Sequence, residues 1–303
     1  MPEDPGESSI IAALTADPLP PEVRVGPGDD CAVLSDGTVL TVDTMVQGVH
    51  WDHRFGPADL GWRLVMVNAS DVAAMGARPS WALLSVSLPS ADMDWVQAFS
   101  RGLHQALSQL GVPLLGGDTT RSPTATLSLT MAGKLVAEPL LRSGGRIGDE
   151  LWVSGQLGSA SAAFHLDLPE LMPTLLRPSP PLELGPTLAL EGLCSAAMDL
   201  SDGLRTDLDR LCRASACGAI VDPELLPLHP ALRAAGVDPL PHGVSFGDDY
   251  QLLLAAPSSS GPRLLELGLT RIGRLVAGTG AQLQGRTWPL SWQHFPSVPE
   301  RRA

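Results

Sequence analysis

The segment VNASDVAAMGARP, which spans residues 67–79, carries a single carboxylate inside an otherwise apolar run. Apolar residues recur at helical spacing from 58 to 75, so a helix is predicted there, with Asp71 in its interior. Aspartate is a poor residue for a helix interior, and a buried carboxylate without partners is costly. We therefore expect Asp71 to face a cation or strong hydrogen-bond donors and to have a functional role.

Around this helix the sequence alternates between short apolar runs and longer helical patterns, which is typical of an α/β (α+β) fold. Further helices are predicted over 92–110, where Gly111 ends the pattern, and over 201–212, where Ser201 or Asp202 can act as the N-cap. Strands are predicted over 39–42, 81–88, 112–115, 125–137, 151–153, 250–256 and 272–276.

The best candidate for a domain boundary is the turn-rich segment that begins at Pro139. It includes RSGGRIGD (142–149), and strand-like and helical patterns resume after it. The chain of 303 residues is long enough for two domains. We therefore expect an N-terminal domain over 1–138 and a C-terminal α/β domain over 139–303.

The charge composition argues against several classes of function. Lys and Arg together number 20 against 33 Asp and Glu, for a formal net charge of −13. Such a chain cannot assemble the basic face that nucleic-acid binding needs, and its one lysine, Lys134, lies outside any Walker-type loop. Since the chain has no signal peptide, no membrane-spanning run and no C-x-x-C pair, we expect a cytoplasmic protein with neither nucleic-acid nor membrane partners.

Most of the informative aspartates stand where a predicted strand or helix meets a glycine-rich turn. Each can be explained as a turn or cap residue, and overall acidity can simply aid solubility. Taken together, the carboxylates suit Mg²⁺, which lets an acidic cleft bind a polyphosphate while glycine-rich loops offer backbone N–H groups. Arg142 precedes a Gly-Gly turn and is either a phosphate-neutralising group or a solvated surface residue.

Eight ordered segments of the chain resemble those of the thiamine-monophosphate kinases, which belong to the aminoimidazole ribonucleotide synthetase superfamily. They are GPGDDCA (26–32), TVDTMVQGVH (41–50), VNASDVAAMGARP (67–79), GGDTTR (116–121), RSG (142–144), MDLSDGL (198–204), FGDDYQL (246–252) and WQHF (292–295). A lone Gly-Asp-Asp carries no weight, whereas this ordered set is highly specific. The resemblance implies a two-domain aminoimidazole ribonucleotide synthetase-like fold, with a mixed sheet and helices in the first domain, and a homodimer.

The resemblance also implies an activity, namely ATP-dependent phosphorylation of thiamine monophosphate to thiamine diphosphate with several Mg²⁺ ions, the last step of thiamine diphosphate biosynthesis. It implies these Mg²⁺ ligands: Asp30, Thr41, Val42 through its backbone, Asp43, Asp71, Asp118, Asp199 and Asp202. The implied ATP-binding residues are Gly117, Asp118, Arg142 and Ser201, and those for the acceptor are His50, Asp248 and Trp292. Because the acceptor is itself a phosphate, Asp43, Asp118 and Arg142 would catalyse in-line transfer by positioning and charge neutralisation, without a strong general base.

The sequence departs from the pattern of these kinases at three places. Phe246-Gly247-Asp248 stands where Gly-Gly-Glu is usual, so the acid on the acceptor side has a shorter arm. Val42 occupies a position that is often Thr, which leaves only its carbonyl as a ligand. Gln293 stands where Asp is common.

Other functions stay open at this point. Within the superfamily, the ring-closing purine synthetase is an alternative, as is selenophosphate synthetase, although no reactive Cys or Lys precedes Gly28. The hydrogenase-maturation member of the superfamily uses a C-terminal Cys, whereas this chain ends Glu-Arg-Arg-Ala. A non-catalytic nucleotide-binding or Ca²⁺-binding protein is the alternative from another class.

Overall fold

The computed structural model of the chain describes residues 7–15, 18–166 and 168–289. Over these ranges the chain forms two six-stranded sheets with helices packed against them, which confirms the α/β prediction. The helices are α1 (Glu7–Leu14), α2 (Pro57–Ala74), α3 (Met93–Leu110), α4 (Ser159–His165), α5 (Met172–Leu176), α6 (Leu184–Glu191), α7 (Leu204–Ala214), α8 (Pro230–Ala234), α9 (Pro239–Ser245) and α10 (Gly261–Glu266). Among the described helices, none is both long and apolar enough to cross a bilayer.

The first sheet is built from residues 23–135 and has the strand order β1-β2-β3-β6-β4-β5. Its pairs are antiparallel except β4 with β5, which run parallel. The strands are β1 (Val23–Val25), β2 (Ala32–Leu34), β3 (Thr38–Val46), β4 (Ala77–Leu88), β5 (Leu114–Arg121) and β6 (Thr126–Leu135).

The second sheet is built from residues 150–283 and has the order β12-β9-β11-β7-β10-β8. Here the one parallel pair is β9 with β12. The strands are β7 (Glu150–Val153), β8 (Ala196–Leu200), β9 (Gly218–Val221), β10 (Gln251–Ala256), β11 (Thr270–Val276) and β12 (Gly280–Leu283).

Helix α2, which contains Asp71, is the most deeply buried helix element near the first sheet. It crosses α3 so closely that a Cβ on Gly61 would lie 2.2 Å from the Phe99 carbonyl oxygen, and one on Gly102 would lie 1.7 Å from that of Ala58. The two glycines therefore permit a backbone contact that any larger residue would prevent. This contact holds α2 against the sheet and fixes the direction in which its polar side chains point.

The C-terminal end of α2 also packs against the second half of the chain. Ala74 shares a buried cluster with Leu140, Trp152 and Leu188. A Cβ on Gly185 of α6 would lie 1.7 Å from the Ala73 carbonyl oxygen, so the two helices touch through their backbones. As a result, α2 connects the two sheets, and the loops at its polar face come from both of them.

Three local predictions need correction. Helix α7 begins at Leu204 with Gly203 as its N-cap and no side-chain cap, so capping by Ser201 or Asp202 is wrong. Asp118 lies inside β5 and not in a turn, because β5 continues through the two glycines while pairing with β4. Asp199 lies inside β8, a strand that the sequence did not predict, and not at a helix entry.

Candidate active site

A cleft of about 1670 Å³ lies where loops of the two halves meet the polar face of α2. It gathers eleven of the predicted site residues from six segments of the chain. These are Asp30, Thr41, Val42, Asp43, His50, Asp71, Arg142, Asp199, Ser201, Asp202 and Asp248.

Three carboxylates form the centre of this cleft. Asp30 precedes β2, Asp71 lies on α2 and Asp199 lies in β8, and one oxygen atom from each comes within 4.8 Å of the other two. Asp30 is 8% exposed and Asp199 only 1%. Oxygen ligands converging at this separation are what Mg²⁺ or Ca²⁺ binds, so the cluster is a candidate divalent-cation site.

Hydrogen bonds within the fold hold two of these carboxylates. Thr41 Oγ1 donates to Asp71 Oδ2 at 2.7 Å, and Ser70 Oγ donates to Asp199 Oδ2 at 2.8 Å. The second bond joins α2 to the other sheet. The adjacent residues Ser70 and Asp71 thus serve one cluster, Asp71 directly and Ser70 through Asp199.

Arg142 adds a positive charge beside this cluster. Its Nε and Nη2 donate to Asp30 Oδ1 at 3.1 and 2.5 Å, and its backbone N–H donates to Asp29 Oδ1 at 3.1 Å. Asp30 Oδ2, by contrast, is buried without a hydrogen-bond partner in the described residues. A buried carboxylate oxygen without a donor fits a cation ligand better than a structural group.

Asp43 is positioned by a buried amide on α2. Its backbone N–H donates to Asn68 Oδ1 at 3.1 Å, while Asn68 Nδ2 donates to the Leu64 carbonyl at 2.8 Å. Asn68 is fully buried. Its side chain therefore fixes the backbone of β3 where the Asp43 carboxylate enters the cleft.

The electrostatic environment disfavours negative charge on every carboxylate of this group. Burial raises the pKa of Asp71 and Asp199 well above the usual range, and neighbouring carboxylates raise both further. Burial, with Asp202 nearby, raises the pKa of Asp43 to about 6. Burial also raises the pKa of Asp30, although the Arg142 guanidinium opposes that shift. A bound divalent cation would reverse this preference, because it stabilises the ionised form.

A second ionic group lies next to Asp202, at the loop before α7. Arg210 Nη1 lies 2.5 Å from Asp202 Oδ2 and 2.9 Å from Asp207 Oδ1, and the Asp202 backbone N–H donates to Asp207 Oδ2 at 3.0 Å. Asp207 has no exposed surface. These contacts orient the Asp202 loop and bring Arg210 into the lining of the cleft.

The predicted acceptor-binding residues His50 and Asp248 lie in the same cleft. His50 Nδ1 accepts the backbone N–H of Val46 at 2.9 Å, which fixes the orientation of its ring. Asp248 Oδ1 forms an ion pair with Arg63 of α2 and accepts from Tyr250 Oη at 3.0 Å. Asp248 therefore lines the cleft while its carboxylate is bonded to Arg63 and Tyr250.

Asp118 does not join the other carboxylates within one chain. It pairs with Ser85, which pairs with Ser128, and Ser128 pairs with Thr44. Paired residues on neighbouring strands share a face, whereas Thr44 and its neighbour Asp43 point to opposite faces. Asp118 and Asp43 thus lie on opposite faces of the sheet, about 14 Å apart across three strand spacings.

One other predicted residue, Gly117, also lies apart from the cleft. Among the described residues, those that line the cleft do not include Gly117, which lies beside Asp118 on the exposed edge strand β5. Trp292 lies outside the described residues, so its predicted stacking role stays a prediction.

Comparison with known proteins supports one family. Residues 28–135 match the model of the AIR synthase related protein, N-terminal domain. The thiamine-monophosphate kinase of Escherichia coli K12 is 37% identical over 302 residues, covering 90% of this chain and 92% of that protein. The chain belongs to the thiamine-monophosphate kinase family. It is therefore a phosphotransferase, and the family resemblance predicted from the eight segments is confirmed.

Solved structures agree with this family assignment. AaThiL complexed with AMPPCP and TMP has a TM-score of 0.86 at 30% identity, covering 96% of this chain and 97% of that one. Thiamine-monophosphate kinase from Stenotrophomonas maltophilia K279a has a TM-score of 0.76 at 36% identity, covering 91% and 94%. The predicted α/β, aminoimidazole ribonucleotide synthetase-like fold is thereby confirmed.

The structure of this family member adds residues that the sequence argument missed. Arg63, Asn68 and Ser70 are buried polar residues of α2, each bonded to a group that forms or supports the cleft. All three are polar residues in an apolar helix, which is the same signal that identified Asp71. Asp207 and Arg210 were also missed, and their i,i+3 spacing after Asp202 was the available signal.

Proposed function

We propose that this protein transfers the γ-phosphoryl group of ATP to thiamine monophosphate, giving thiamine diphosphate and ADP as the last step of thiamine diphosphate biosynthesis. The observation that carries the proposal is the convergence of Asp30, Asp71 and Asp199 in a cleft that also contains Arg142. The family relationship supports the choice of acceptor, and a relative with the same fold has been solved with AMPPCP and TMP.

We propose that several Mg²⁺ ions bind here. The unpartnered oxygen of Asp30 and the close approach of three carboxylates are what a hard divalent cation requires, and they support one of these sites. We propose that the ligands are Asp30, Thr41, the Val42 carbonyl, Asp43, Asp71, Asp118, Asp199 and Asp202. When bound, Mg²⁺ would neutralise phosphate charge and so lower the barrier to transfer.

The chain's own residues act mainly by position and charge. Arg142, oriented by Asp29 and Asp30, presents a guanidinium to the phosphates, which matters in a protein whose one lysine, Lys134, instead pairs with Asp36. We infer that Ser201 and Gly117 contact ATP and that His50, Asp248 and Trp292 hold the acceptor. An oxygen of the acceptor phosphate attacks the γ-phosphorus as ADP leaves, and no side chain is phosphorylated.

A homodimer is part of the proposal. Asp118 and Gly117 lie on the exposed edge strand β5, and neither is among the described residues that line the cleft of their own chain. We propose that in the dimer these two residues contribute to the cleft of the partner chain. The division into domains 1–138 and 139–303 is likewise proposed, with the cleft at their junction.

The proposal is tested by coupled detection of ADP release, with ATP and Mg²⁺ present and thiamine monophosphate added or omitted. Thiamine is the control acceptor, because it has both rings but no phosphate. We expect ADP release that depends on thiamine monophosphate. Turnover with thiamine but not with its phosphate would refute the acceptor, and ATP binding without turnover would refute the activity.

A further inference from the structure

Four of the rings that line the cleft contact one another and form a group outside the site described so far. We name Phe164, His165, His242 and Phe246 the aromatic wall; all four border the same cavity as Asp43 and Asp199. His165 meets Phe246 edge-on at 4.6 Å between ring centroids, and Phe164 stacks with Phe246 at 5.6 Å. His165 and His242 are 5.9 Å apart.

The wall is held in place by polar contacts on its outer side. The guanidinium of Arg54 lies 3.9 Å from the centroid of the Phe164 ring and donates to the Phe164 carbonyl at 2.9 Å. Ser161 Oγ lies 2.8 Å from His242 Nδ1. Three of the rings are half-buried and His165 is exposed, so the wall keeps ring surface open to the cleft.

Phe246 connects the wall to the loop that carries Ser201 and Asp202. It lies two residues before Asp248, whose backbone N–H donates to the Ser201 carbonyl at 3.0 Å. A Cβ on Gly247 would lie 1.8 Å from that same carbonyl oxygen, so the two loops are in backbone contact. These contacts fix the position of Phe246 relative to the loop that carries Ser201 and Asp202.

We infer that the aromatic wall binds a heteroaromatic ring of the acceptor and that Phe246 sets the affinity for it, an inference that rests on the proposed function. Thiamine monophosphate has an aminopyrimidine and a cationic thiazolium, and both ring types stack on aromatic faces. The wall leads directly to Asp248, the proposed acceptor contact, whereas Arg142, the proposed ATP contact, joins Asp29 and Asp30. This arrangement favours the acceptor over the adenine ring as its occupant.

The polar contact beside the wall is already in use within the chain. Asp248 Oδ1 pairs with Arg63 and accepts from Tyr250 Oη. The inference therefore assigns part of the acceptor's binding energy to ring contact with Phe246.

Steady-state kinetics of Phe246→Gly and Phe246→Leu test the inference. For Phe246→Gly we expect the KM for thiamine monophosphate to rise about tenfold, the usual scale of one lost stacking contact, with the KM for ATP unchanged. Phe246→Leu keeps apolar volume and should show a smaller rise. Trp95→Leu is the matched control, since Trp95 is a half-buried ring on α3 that stacks with Phe99 at 5.4 Å outside the cleft.

Outcomes for the two proposals are separable. An unchanged KM for thiamine monophosphate in folded Phe246→Gly, or a rise in the KM for ATP instead, would refute acceptor binding by the aromatic wall. The proposed kinase activity would still stand. If the wild-type protein shows no acceptor-dependent turnover, the proposed function fails. Calorimetric titration with thiamine monophosphate alone then still tests whether the aromatic wall binds the acceptor. Equal affinity in wild type and Phe246→Gly, or no binding to wild type, would refute that role.

Discussion

Arg142 binds one oxygen of Asp30 through two N–H groups, at 3.1 and 2.5 Å, and leaves the other oxygen buried without a partner in the described part of the chain. The same carboxylate also has an oxygen within 4.8 Å of carboxylate oxygens of Asp71 and Asp199. The guanidinium stabilises the ionised form of Asp30, whereas the two carboxylates disfavour it. This relationship makes Asp30 the link between the proposed metal ligands and the proposed phosphate contact.

Replacing Asp30 by Asn should weaken Mg²⁺ binding with little change of shape. The substitution removes one ligand charge, so we expect the half-saturating Mg²⁺ concentration for turnover to rise at least about tenfold, or about 1.4 kcal/mol. Asp36→Asn removes one carboxylate charge at an exposed site paired with Lys134 and should leave that concentration unchanged. Equal Mg²⁺ dependence in Asp30→Asn and Asp36→Asn would show that Asp30 is not a ligand.

Asp43→Asn and Asp118→Asn should each reduce kcat by at least about a hundredfold, the scale of one lost charge-stabilising group, while the fold is kept. Because the two side chains lie on opposite faces of one sheet, we expect Asp118 to serve the cleft of a partner chain. Mixing the two inactive variants and allowing subunits to exchange should then restore about a quarter of wild-type activity, as half of the dimers gain one intact cleft. No restoration after verified exchange would place both groups in one chain's site.

The buried pair of Arg63 and Asp248 should show strong coupling in stability. Arg63 is 3% exposed, so Arg63→Met leaves Asp248 without its cation and should lower the free energy of unfolding by about 2–4 kcal/mol. In the double variant Arg63→Met/Asp248→Asn no unpaired charge is left, and part of that loss should return. Urea unfolding of the four proteins gives the coupling energy. Additive losses would mean that the pair contributes no interaction of its own.

Asp249 should make the fold less stable as pH rises through neutrality. Burial raises its pKa to about 7, although the Gly158 and Ala160 backbone N–H groups and Ser159 Oγ hydrogen-bond to it. The folded state therefore favours the protonated form, and that stabilisation, complete below the unfolded pKa near 3.8, is lost as pH passes about 7.

Comparison of wild type with Asp249→Asn measures this effect. Asparagine can still accept a backbone N–H but does not titrate, so wild type should lose up to about 3 kcal/mol relative to the variant between pH 5 and pH 8. Chemical unfolding at the two pH values is the measurement. A difference between the proteins that stays constant with pH would contradict the raised pKa.

Much of the fold followed from local pattern. The long helices α2 and α3 were predicted to within one residue at each end, because their apolar spacing is regular and Gly111 ends α3. Strand β8 and the continuation of β5 through Gly116 and Gly117 were not predicted. Both depend on a neighbouring strand for their hydrogen bonds, which no local signal contains.

The site was predictable in its residue types but not in its grouping. Asp71 could be picked out alone, since a carboxylate in an apolar helix needs a partner wherever the helix lies. That its partners are Asp30 and Asp199 depends on α2 connecting two sheets, which places residues more than a hundred positions apart within 4.8 Å. The separation of Asp118 from this group depends on strand register, which assigns each side chain to a face.

The acidity of the chain, its scarcity of lysine and the positions of its long helices could be read without the fold, because charge and apolar periodicity are local properties. The fold was needed to show which carboxylates converge, which arginine each one meets, and which rings border the cleft. These are contacts between distant segments. They depend on sheet register and on glycine-permitted backbone contacts such as that of Gly247 with Ser201.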